Sequence, residues 1–383
     1  MKIVVAPDSF KGCLPAAEVA AALAAGVRKA APDAEVVEVP MADGGEGTVQ
    51  ALVAASGGRI ETREVEGPLG APVDAAFGLL GDGQTAVIEM AAASGLPLVP
   101  NDRRDPTQTS TFGTGQLVRA ALDLGAREII LGIGGSATND CGCGLAQALG
   151  IVFRDEEGHV LERVTGGRLL NVARIDLAGR DDRLAATRVR VACDVDNPLY
   201  GPRGAAHVFA PQKGATPAQV DLLDAGLRHI AEVICRDLAL DVARLPGAGA
   251  AGGLGAGLVA FCGGRLEPGV QIVIEAAHLR EKMSGADLCL TGEGRLDSQT
   301  CCGKTPAGVA GVAREAGALA VGVAAAVDLD SAGLQEVGLA AAFSLLNAPM
   351  SLEVAMKPDV AAGLLTAVGE QIVKLFLAAR AAR

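Results

Sequence analysis

Three chemically useful side chains lie close together near the start of the chain. Residues 6–12 read APDSFKG and follow a short β-branched run, so Asp8, Ser9 and Lys11 come directly after a predicted strand. In open α/β sheets, ligands bind beyond the carboxyl ends of strands. A lysine at such a place suits a phosphate or a carboxylate. The alternative interpretation is a loop that only caps the helix that follows.

A second segment, residues 40–48, reads PMADGGEGT and follows the second predicted strand. Gly44 and Gly45 would let the backbone approach an anion, and the next helix would point its N-terminus at that anion. Asp43 and Glu46 could bind Mg²⁺ or accept a hydroxyl proton. The alternative is a simple glycine turn, in which Glu46 only stabilises the N-terminus of the next helix through the helix dipole.

A third segment, residues 132–140, follows the predicted strand REIIL and reads GIGGSATND. Gly132, Gly134 and Ala137 satisfy G-x-G-x-x-A, and Asp155 lies 23 residues further on. This spacing is a dinucleotide-binding fingerprint, which would indicate an NAD-dependent oxidoreductase. Helix-forming residues do not follow at once, which argues against that interpretation.

The same segment favours phosphate binding. Its glycines leave the backbone accessible, and its hydroxyl and amide groups suit phosphates or a small polyol. The residues expected to bind in this way are Gly134, Gly135, Ser136, Thr138 and Asn139.

Paired carboxylates follow another strand, in residues 192–198 (ACDVDNP). Alternation along a strand end would send Asp194 and Asp196 to the same side. Such a pair could hold Mg²⁺, and one of the two could serve as a general base. The alternative is an Asx turn before Pro198.

Two further segments add a cation and glycines. Lys213 follows residues 206–210 (AHVFA), which we predict to be a strand. Residues 246–257 contain G-x-G-x-x-G, and Gly252 and Gly253 lie there. No strand precedes this run, so it fails as a dinucleotide fingerprint but could hold phosphate at a helix N-terminus.

The last segment, residues 290–300 (LTGEGRLDSQT), follows a predicted strand at 287–290. Thr291, Glu293 and Asp297 would lie at the edge of a binding site there. The later Gly-Lys-Thr is not a P-loop, because Ser298 stands where the first glycine is required.

Strands and helices alternate at both ends of the chain, which predicts a parallel sheet covered by helices. The middle begins with short strand-like runs that suggest antiparallel hairpins. We therefore predict an α/β fold with two domains. A discontinuous Rossmann- or flavodoxin-like domain comprises residues 1–66 and 284–383, and a mixed α+β domain, residues 67–283, is inserted into it.

Composition excludes several classes of protein. The chain has 383 residues, a net charge of −12 and 2% aromatic residues, so it lacks the cationic field and the stacking platforms of a nucleic-acid binder. No basic face for anionic membranes is present, and residues 245–264 are apolar but dominated by Gly and Ala. Nine cysteines without a C-x-x-C pair indicate reduced thiols and a cytoplasmic location.

Taken together, the segments resemble the bacterial type-1 glycerate kinase family. The motifs appear in the family's order over nearly the whole chain, and the ordered set is specific although each member alone is weak. They are APDSFKG, PMADGGEGT, TSTFGTG, GIGGSATND, CDVDNPL, PQKGA, PGAGAAGGLGAGL and TGEGRLDSQT.

The resemblance implies ATP-dependent phosphorylation of D-glycerate with Mg²⁺, and the family's usual product is 2-phosphoglycerate. It also implies two domains with an active site in the cleft between them. The chain departs from the family pattern at Cys13, Cys141, Cys143, Cys301 and Cys302, which suggests sensitivity to oxidation. The oligomeric state stays open, with a homodimer among the options.

We predict the following roles. Lys11, Asp194 and Asp297 are the catalytic candidates. The glycerate or the transferred phosphoryl group is expected to contact Asp8, Ser9, Asp43, Gly44, Gly45, Glu46, Thr291 and Glu293. ATP is expected to contact Gly134, Gly135, Ser136, Thr138, Asn139, Lys213, Gly252 and Gly253. The predicted metal ligands are Asp194 and Asp196. The alternatives are an NAD-dependent oxidoreductase that uses Gly132, Gly134 and Ala137, and a sensor that only binds a small molecule.

Overall fold

The structure is a computed structural model that describes residues 1–382, apart from the side chain of Cys302. The strands are β1 (Lys2–Val5), β2 (Glu35–Glu38), β3 (Arg59–Glu66), β4 (Pro72–Leu79), β5 (Thr85–Glu89), β6 (Glu128–Gly132), β7 (Val152–Arg154), β8 (Arg174–Asp176), β9 (Arg188–Ala192), β10 (Arg265–Glu267), β11 (Leu288–Leu296), β12 (Leu319–Val327) and β13 (Ala341–Ser344). The helices are α1 (Ala16–Ala30), α2 (Thr48–Ser56), α3 (Ala91–Ser94), α4 (Phe112–Asp123), α5 (Cys143–Ala148), α6 (Ala205–Phe209), α7 (Pro217–Leu238), α8 (Ala250–Cys262), α9 (Gly269–Ala276), α10 (Leu279–Met283), α11 (Thr305–Glu315), α12 (Ser331–Val337), α13 (Leu352–Ala355) and α14 (Pro358–Ala381).

Contacts divide the chain into two compact units. Unit 1 comprises residues 1–43, 50–57 and 270 onward, and unit 2 comprises residues 44–49 and 58–269. Strand β3 pairs with β4 and therefore belongs to unit 2, although the predicted terminal domain, residues 1–66, includes it. The predicted limits of the two domains, at 66/67 and 283/284, stay a prediction.

Unit 1 contains a five-stranded sheet in the order β13-β12-β11-β1-β2, and each neighbouring pair is parallel. Its core contains the apolar stripe of α1, where Val19, Leu23 and Val27 are buried. These residues recur every four positions, so they share one helix face. Because the strands are parallel, the segments that follow β1 and β2 leave the sheet at the same edge.

Unit 2 contains a six-stranded sheet in the order β10-β9-β6-β5-β4-β3. Strands β5, β6, β9 and β10 are parallel, whereas β3, β4 and β5 form antiparallel hairpins. The last residues of the parallel strands are in register, with Glu89 opposite Gly132 and Gly132 opposite Ala192. The segments after these strands therefore start side by side.

The predicted α/β architecture with a parallel sheet and a second, mixed sheet is confirmed. Two predicted strands differ from the structure. Residues 206–210 lie mostly in helix α6, and a run this short does not separate the two periodicities. The strand predicted at 287–290 continues to Leu296, because β11 pairs with β12 along its whole length. A Cβ at Gly292 would lie 1.8 Å from the carbonyl oxygen of Val323, so this close pairing requires glycine.

Helix α14 is long and apolar enough to cross a membrane by length and composition alone, and residues 1–382 contain no other such helix. It packs against α1 in unit 1, where its Leu365, Ile372 and Val373 belong to the same core as Leu23. Of its most apolar stretch 33% is buried, so this packing accounts for part of the hydropathy of α14.

Candidate active site

Asp8 is the central acidic residue of unit 1, where it follows β1 and is 5% exposed. Its Oδ2 accepts a 2.5 Å hydrogen bond from Thr305 Oγ1, and its Oδ1 accepts one of 2.6 Å from the Ser9 backbone N–H. The Ser9 hydroxyl also donates to Oδ1, at 3.2 Å. Burial raises the pKa of Asp8, and the charge of Asp43 raises it further, whereas the Thr305 bond lowers it.

Glu293 brings a further carboxylate to this group. It lies in β11, is half-buried, and accepts a 2.8 Å hydrogen bond from Thr300 Oγ1. Burial raises the pKa of Glu293, and the charges of Asp8 and Asp43 contribute to the same direction. The predicted substrate residues Asp8, Asp43 and Glu293 are therefore within electrostatic reach of one another, and we call them the unit 1 carboxylates.

The other predicted residues of unit 1 differ in what they contact. Lys11 is exposed, and its charge lowers the pKa of Asp8. The Thr291 hydroxyl donates to the carbonyl oxygen of Ala6 at 2.8 Å, so it ties β11 to the end of β1. Asp297 Oδ1 accepts from the Gln299 N–H at 2.9 Å, which is the bond of an Asx turn. Of these three, Lys11 has the side chain most accessible to a ligand.

Residues 44–49 lie in unit 2, over the ends of its parallel strands. Gly44 has φ +90°, and a Cβ there would lie 2.5 Å from the Cβ of Ala192. Only glycine fits this position, since the backbone is left-handed and the space is filled. Gly45 accepts from the Thr48 hydroxyl at 2.7 Å, and Glu46 is exposed.

Glu89, which sequence reasoning missed, supports this segment. Its Oε1 accepts from the Val49 N–H at 2.9 Å, and bonds with the backbone of Gly47 and Thr48 lower its pKa. Burial is the larger effect and raises the pKa of Glu89. One feature of the sequence could have indicated this role. Glu89 ends the apolar run TAVIE, and a charged residue at the end of a buried strand needs a partner.

Lys213 is the only lysine of unit 2 and is buried among the residues that follow β6. Its Nζ lies 2.7 Å from Ser136 Oγ and donates to the carbonyl oxygen of Thr138 at 2.7 Å. Burial lowers the pKa of Lys213 to about 7, and the charge of Asp140 opposes that shift. The structure thus brings together the predicted nucleotide-binding residues Lys213, Ser136 and Thr138.

Two neighbouring side chains of this group have polar atoms without a partner. Thr138 Oγ1 and both amide atoms of Asn139 are buried and form no hydrogen bond among residues 1–382. Buried polar groups are nearly always satisfied, so each exception needs an explanation such as a ligand or an ordered water. We call Ser136, Thr138, Asn139 and Lys213 the unit 2 polar group.

Asp140 has a structural role beside the unit 2 polar group. It is fully buried, and its Oδ2 accepts from both the backbone N–H and the hydroxyl of Thr111 at 2.8 Å. It also accepts from the N–H groups of Gly142 and Gly144. Burial raises the pKa of Asp140, and these bonds oppose the shift. Asp140 therefore fixes the turn that carries Asn139.

Gly252 and Gly253 pack against the same turn. A Cβ at Gly252 would lie 2.0 Å from the carbonyl oxygen of Thr138, and one at Gly253 would lie 3.0 Å from the Cα of Cys141. With Ala251 they form three consecutive residues of positive φ inside α8. Both glycines are therefore packed against other parts of the protein, whereas Gly134 and Gly135 are exposed.

Asp194 and Asp196 do not lie on a strand, because β9 ends at Ala192. The alternation argument for a shared metal therefore fails. Asp194 Oδ1 accepts from the Gly269 N–H at 2.9 Å, and the exposed Asp196 forms an ion pair with Arg203 at 3.3 Å. Neither belongs to a group of three or more metal-ligating side chains within residues 1–382.

The dinucleotide fingerprint lacks its structural context. After β6, residues 133–142 are not helical, and α5 begins only at Cys143. A Rossmann fingerprint requires the helix to start within the glycine motif, so that its N-terminus faces the pyrophosphate. Asp155 lies in a turn, where it accepts from the His159 N–H at 2.8 Å.

The cysteines vary in exposure. Cys141 and Cys143 are fully buried, and burial raises the pKa of both thiols, which keeps them protonated and unreactive. Cys141 has φ +52°, a conformation that disfavours a side chain. Cys13 is half-buried and Cys235 is exposed. The side chain of Cys302 lies outside the described residues.

The chain has two α/β units. Unit 1 has acidic groups at one edge of its sheet, and unit 2 has a buried lysine among glycine-rich turns. Such an arrangement is typical of enzymes that transfer phosphoryl groups. The chain belongs to the glycerate kinase family, whose model matches residues 3–377.

The names of similar proteins and of a solved structure agree with this family assignment. The chain is 51% identical over 355 residues to a glycerate kinase of Halalkalibacterium halodurans, covering 93% of both chains. It is 50% identical over 357 residues to the glycerate 2-kinase of Escherichia coli, again covering 93% of both. A crystal structure described as a glycerate kinase 2 from Salmonella typhimurium LT2 is 49% identical, with a TM-score of 0.91 over 99% of both chains.

Proposed function

We propose that this protein transfers the γ-phosphoryl group of ATP to D-glycerate and forms 2-phosphoglycerate. The observation that carries the proposal is the unit 2 polar group, in which a buried lysine lies beside polar atoms that have no partner. Such a group has donors available for phosphate oxygens without breaking existing bonds. The name of the Escherichia coli relative, glycerate 2-kinase, supports both the acceptor and the position of transfer.

We assign ATP to unit 2. Lys213 Nζ supplies a donor whose charge can be restored by a bound anion, because a nearby negative charge raises the pKa of an amine. The exposed backbone of Gly134 and Gly135 leaves room for phosphate oxygens beside it. Asn139 and Thr138 have unused hydrogen-bonding capacity in the same place.

We assign glycerate to unit 1. Lys11 offers an accessible cation for the carboxylate of glycerate or for the transferred phosphoryl group. A carboxylate with a raised pKa is a better proton acceptor than an ordinary one, and both Asp8 and Glu293 meet that condition. We therefore place the general base among the unit 1 carboxylates, a group to which Asp194 and Asp297 do not belong.

Magnesium accompanies ATP in phosphoryl transfer and is held by carboxylate and phosphate oxygens. The donor set of unit 1 fits this cation, since Asp43 and Glu293 add to the negative potential around Asp8. Asp196 fits less well, because its charge is already paired with Arg203. The cation would supply charge neutralisation at the transferred group. A cytoplasmic location, as the sequence predicts, would provide both ATP and the cation.

The test uses the purified full chain with ATP, Mg²⁺ and D-glycerate. We expect ADP to form with glycerate and not without it, and phosphorus NMR of the product should show a phosphate on the 2-hydroxyl. A second reaction with NAD⁺ in place of ATP should yield no NADH. ATP turnover that is independent of glycerate, or a product phosphorylated elsewhere, would contradict the proposal.

A further inference from the structure

Unit 2 contains a cavity of about 590 Å³ that is rich in arginine. Its volume lies within the range of sites for small molecules. The side chains that determine its chemistry are those of Arg103, Arg163, Arg168, Asp105, Gln108 and Thr165. None of these residues has a role in the proposed reaction.

The charges that line the cavity are unbalanced. Arg163 Nη1 pairs with Glu66 Oε1 at 2.6 Å, so its charge is partly neutralised. Arg103 and Arg168 form no ion pair among residues 1–382, and both are exposed. Asp105 is the one acidic residue of the lining, so three arginines line the cavity against a single carboxylate. The cavity is therefore a cationic site in a chain whose net charge is −12.

We propose that this cavity binds the phosphate group of a small phosphorylated molecule. The guanidinium groups of Arg103 and Arg168 can each donate two parallel hydrogen bonds to phosphate, a geometry that favours arginine over lysine. Thr165, which is 5% exposed, also lines the cavity, and a threonine hydroxyl can serve as a neutral donor. The volume of the cavity leaves room for atoms beyond a single phosphate group.

The loop that forms one wall of the cavity also supports the unit 2 polar group. Within residues 101–109, Thr109 Oγ1 donates to the carbonyl oxygen of Ala137 at 2.9 Å. Gly214, next to Lys213, packs directly against this loop, since a Cβ at Gly214 would lie 2.3 Å from the carbonyl oxygen of Arg104. A phosphate in the cavity would therefore contact the same loop that packs against the proposed nucleotide residues. The phosphate could come from a nucleotide or from a phosphorylated acid.

The test measures binding to the full chain by calorimetry with three probes: inorganic phosphate, a non-hydrolysable ATP analogue and 2-phosphoglycerate. The variant is Arg103→Gln with Arg168→Gln, which leaves no carboxylate unpaired because neither arginine has an acidic partner. We expect the Kd of at least one probe to rise tenfold or more, equivalent to about 1.4 kcal/mol. Arg244→Gln is the matched control, since Arg244 is an exposed arginine of unit 2 outside the cavity.

The probe that is affected identifies the source of the phosphate. A rise for the ATP analogue assigns the cavity to the nucleotide, whereas a rise for phosphate or phosphoglycerate alone assigns it to a separate ligand. Arg168→Lys should give an intermediate rise, because it keeps the charge but loses the fork. Equal Kd values of all three probes for wild type and the double variant, with an unchanged circular dichroism spectrum, would overturn the proposal. Binding is measured without turnover, so this outcome is independent of the proposed reaction.

Discussion

The Nζ of Lys213 lies 2.7 Å from Ser136 Oγ, and this contact joins residues 77 positions apart. The lysine is fully buried, which lowers its pKa to about 7, so its charge changes close to neutral pH. A neutral amine can accept a hydrogen bond from the Ser136 hydroxyl, and a charged one donates to it. The protonation state of Lys213 therefore determines how this group responds to an anion.

Replacing Lys213 with methionine should change how stability depends on pH. In the unfolded chain the amine keeps its ordinary pKa of 10.5, whereas in the folded chain the pKa is about 7. Between these values the unfolded state binds a proton that the folded state lacks, so the stability of the wild type rises with pH. Relative to Lys213→Met, the wild type should gain on the order of 2 kcal/mol between pH 7 and pH 9. Denaturant unfolding of both proteins at each pH measures this difference.

The control for that measurement is Lys374→Met. Lys374 is exposed and pairs with Glu370 on the surface of α14, where such pairs contribute little. Its stability curve should run parallel to that of the wild type. Parallel curves for wild type and Lys213→Met would show that the buried amine stays charged over this range.

Asn139→Leu should separate stability from binding. The substitution keeps the volume of a buried side chain and removes two polar atoms that have no partner within residues 1–382. Because an unsatisfied buried polar group costs about 1–3 kcal/mol, the variant should be as stable as the wild type or more so. Its affinity for ATP should fall at least tenfold if the amide binds phosphate or ribose oxygens. A large drop in Tm with unchanged ATP affinity would show that Asn139 instead has a purely structural role.

Thr305→Val should shift the acidic limb of the pH–rate profile. The Thr305 hydroxyl donates to Asp8 and lowers its pKa, which burial has already raised. Without that bond, the pKa of Asp8 rises further. If the ionised form is active, the acidic limb of kcat/KM moves to higher pH. Thr366→Val is the matched control in unit 1, since its hydroxyl donates to the backbone of Ala22. The same shift in both variants, or in neither, would contradict this role of Asp8.

Much of unit 1 could be predicted because its signals are local. Alternating strands and helices predict a parallel sheet, and such a sheet brings the segments after β1 and β2 to one edge, where Asp8 and Asp43 are found. The partner of Asp8 could not be predicted, since Thr305 is 297 positions away.

In unit 2 the decisive features depend on tertiary packing. The burial of Lys213 follows from a turn after α6, a helix that the sequence suggests is a strand. Glu89 is satisfied by backbone N–H groups that come from a distant segment. The strand β9 ends before Asp194, and strand ends are the least predictable part of an element.

Asp194→Asn should have a small effect on turnover. Asp194 Oδ1 accepts from the Gly269 N–H, and an asparagine oxygen can accept the same bond. We expect kcat to fall by less than about fivefold, against the 10²–10⁴-fold loss that removal of a general base causes. Steady-state kinetics at two Mg²⁺ concentrations tests this expectation. A loss of two orders of magnitude would restore Asp194 as a base, and a loss that high Mg²⁺ reverses would restore it as a metal ligand.

Lys11→Ala should reduce turnover strongly and leave the fold intact. Lys11 is exposed and forms no ion pair among residues 1–382, so its removal should cost the fold little. Its position after β1, close enough to Asp8 to lower the pKa of that residue, suits a cation that stabilises charge on the transferred group. We expect a loss of about 10²–10³-fold in kcat. Lys11→Arg should recover only part of it, because a planar guanidinium does not replace a compact ammonium. Steady-state kinetics measures the loss of turnover, and circular dichroism tests whether the fold is intact. Full activity of the alanine variant at an unchanged KM would show that Lys11 has no part in the mechanism.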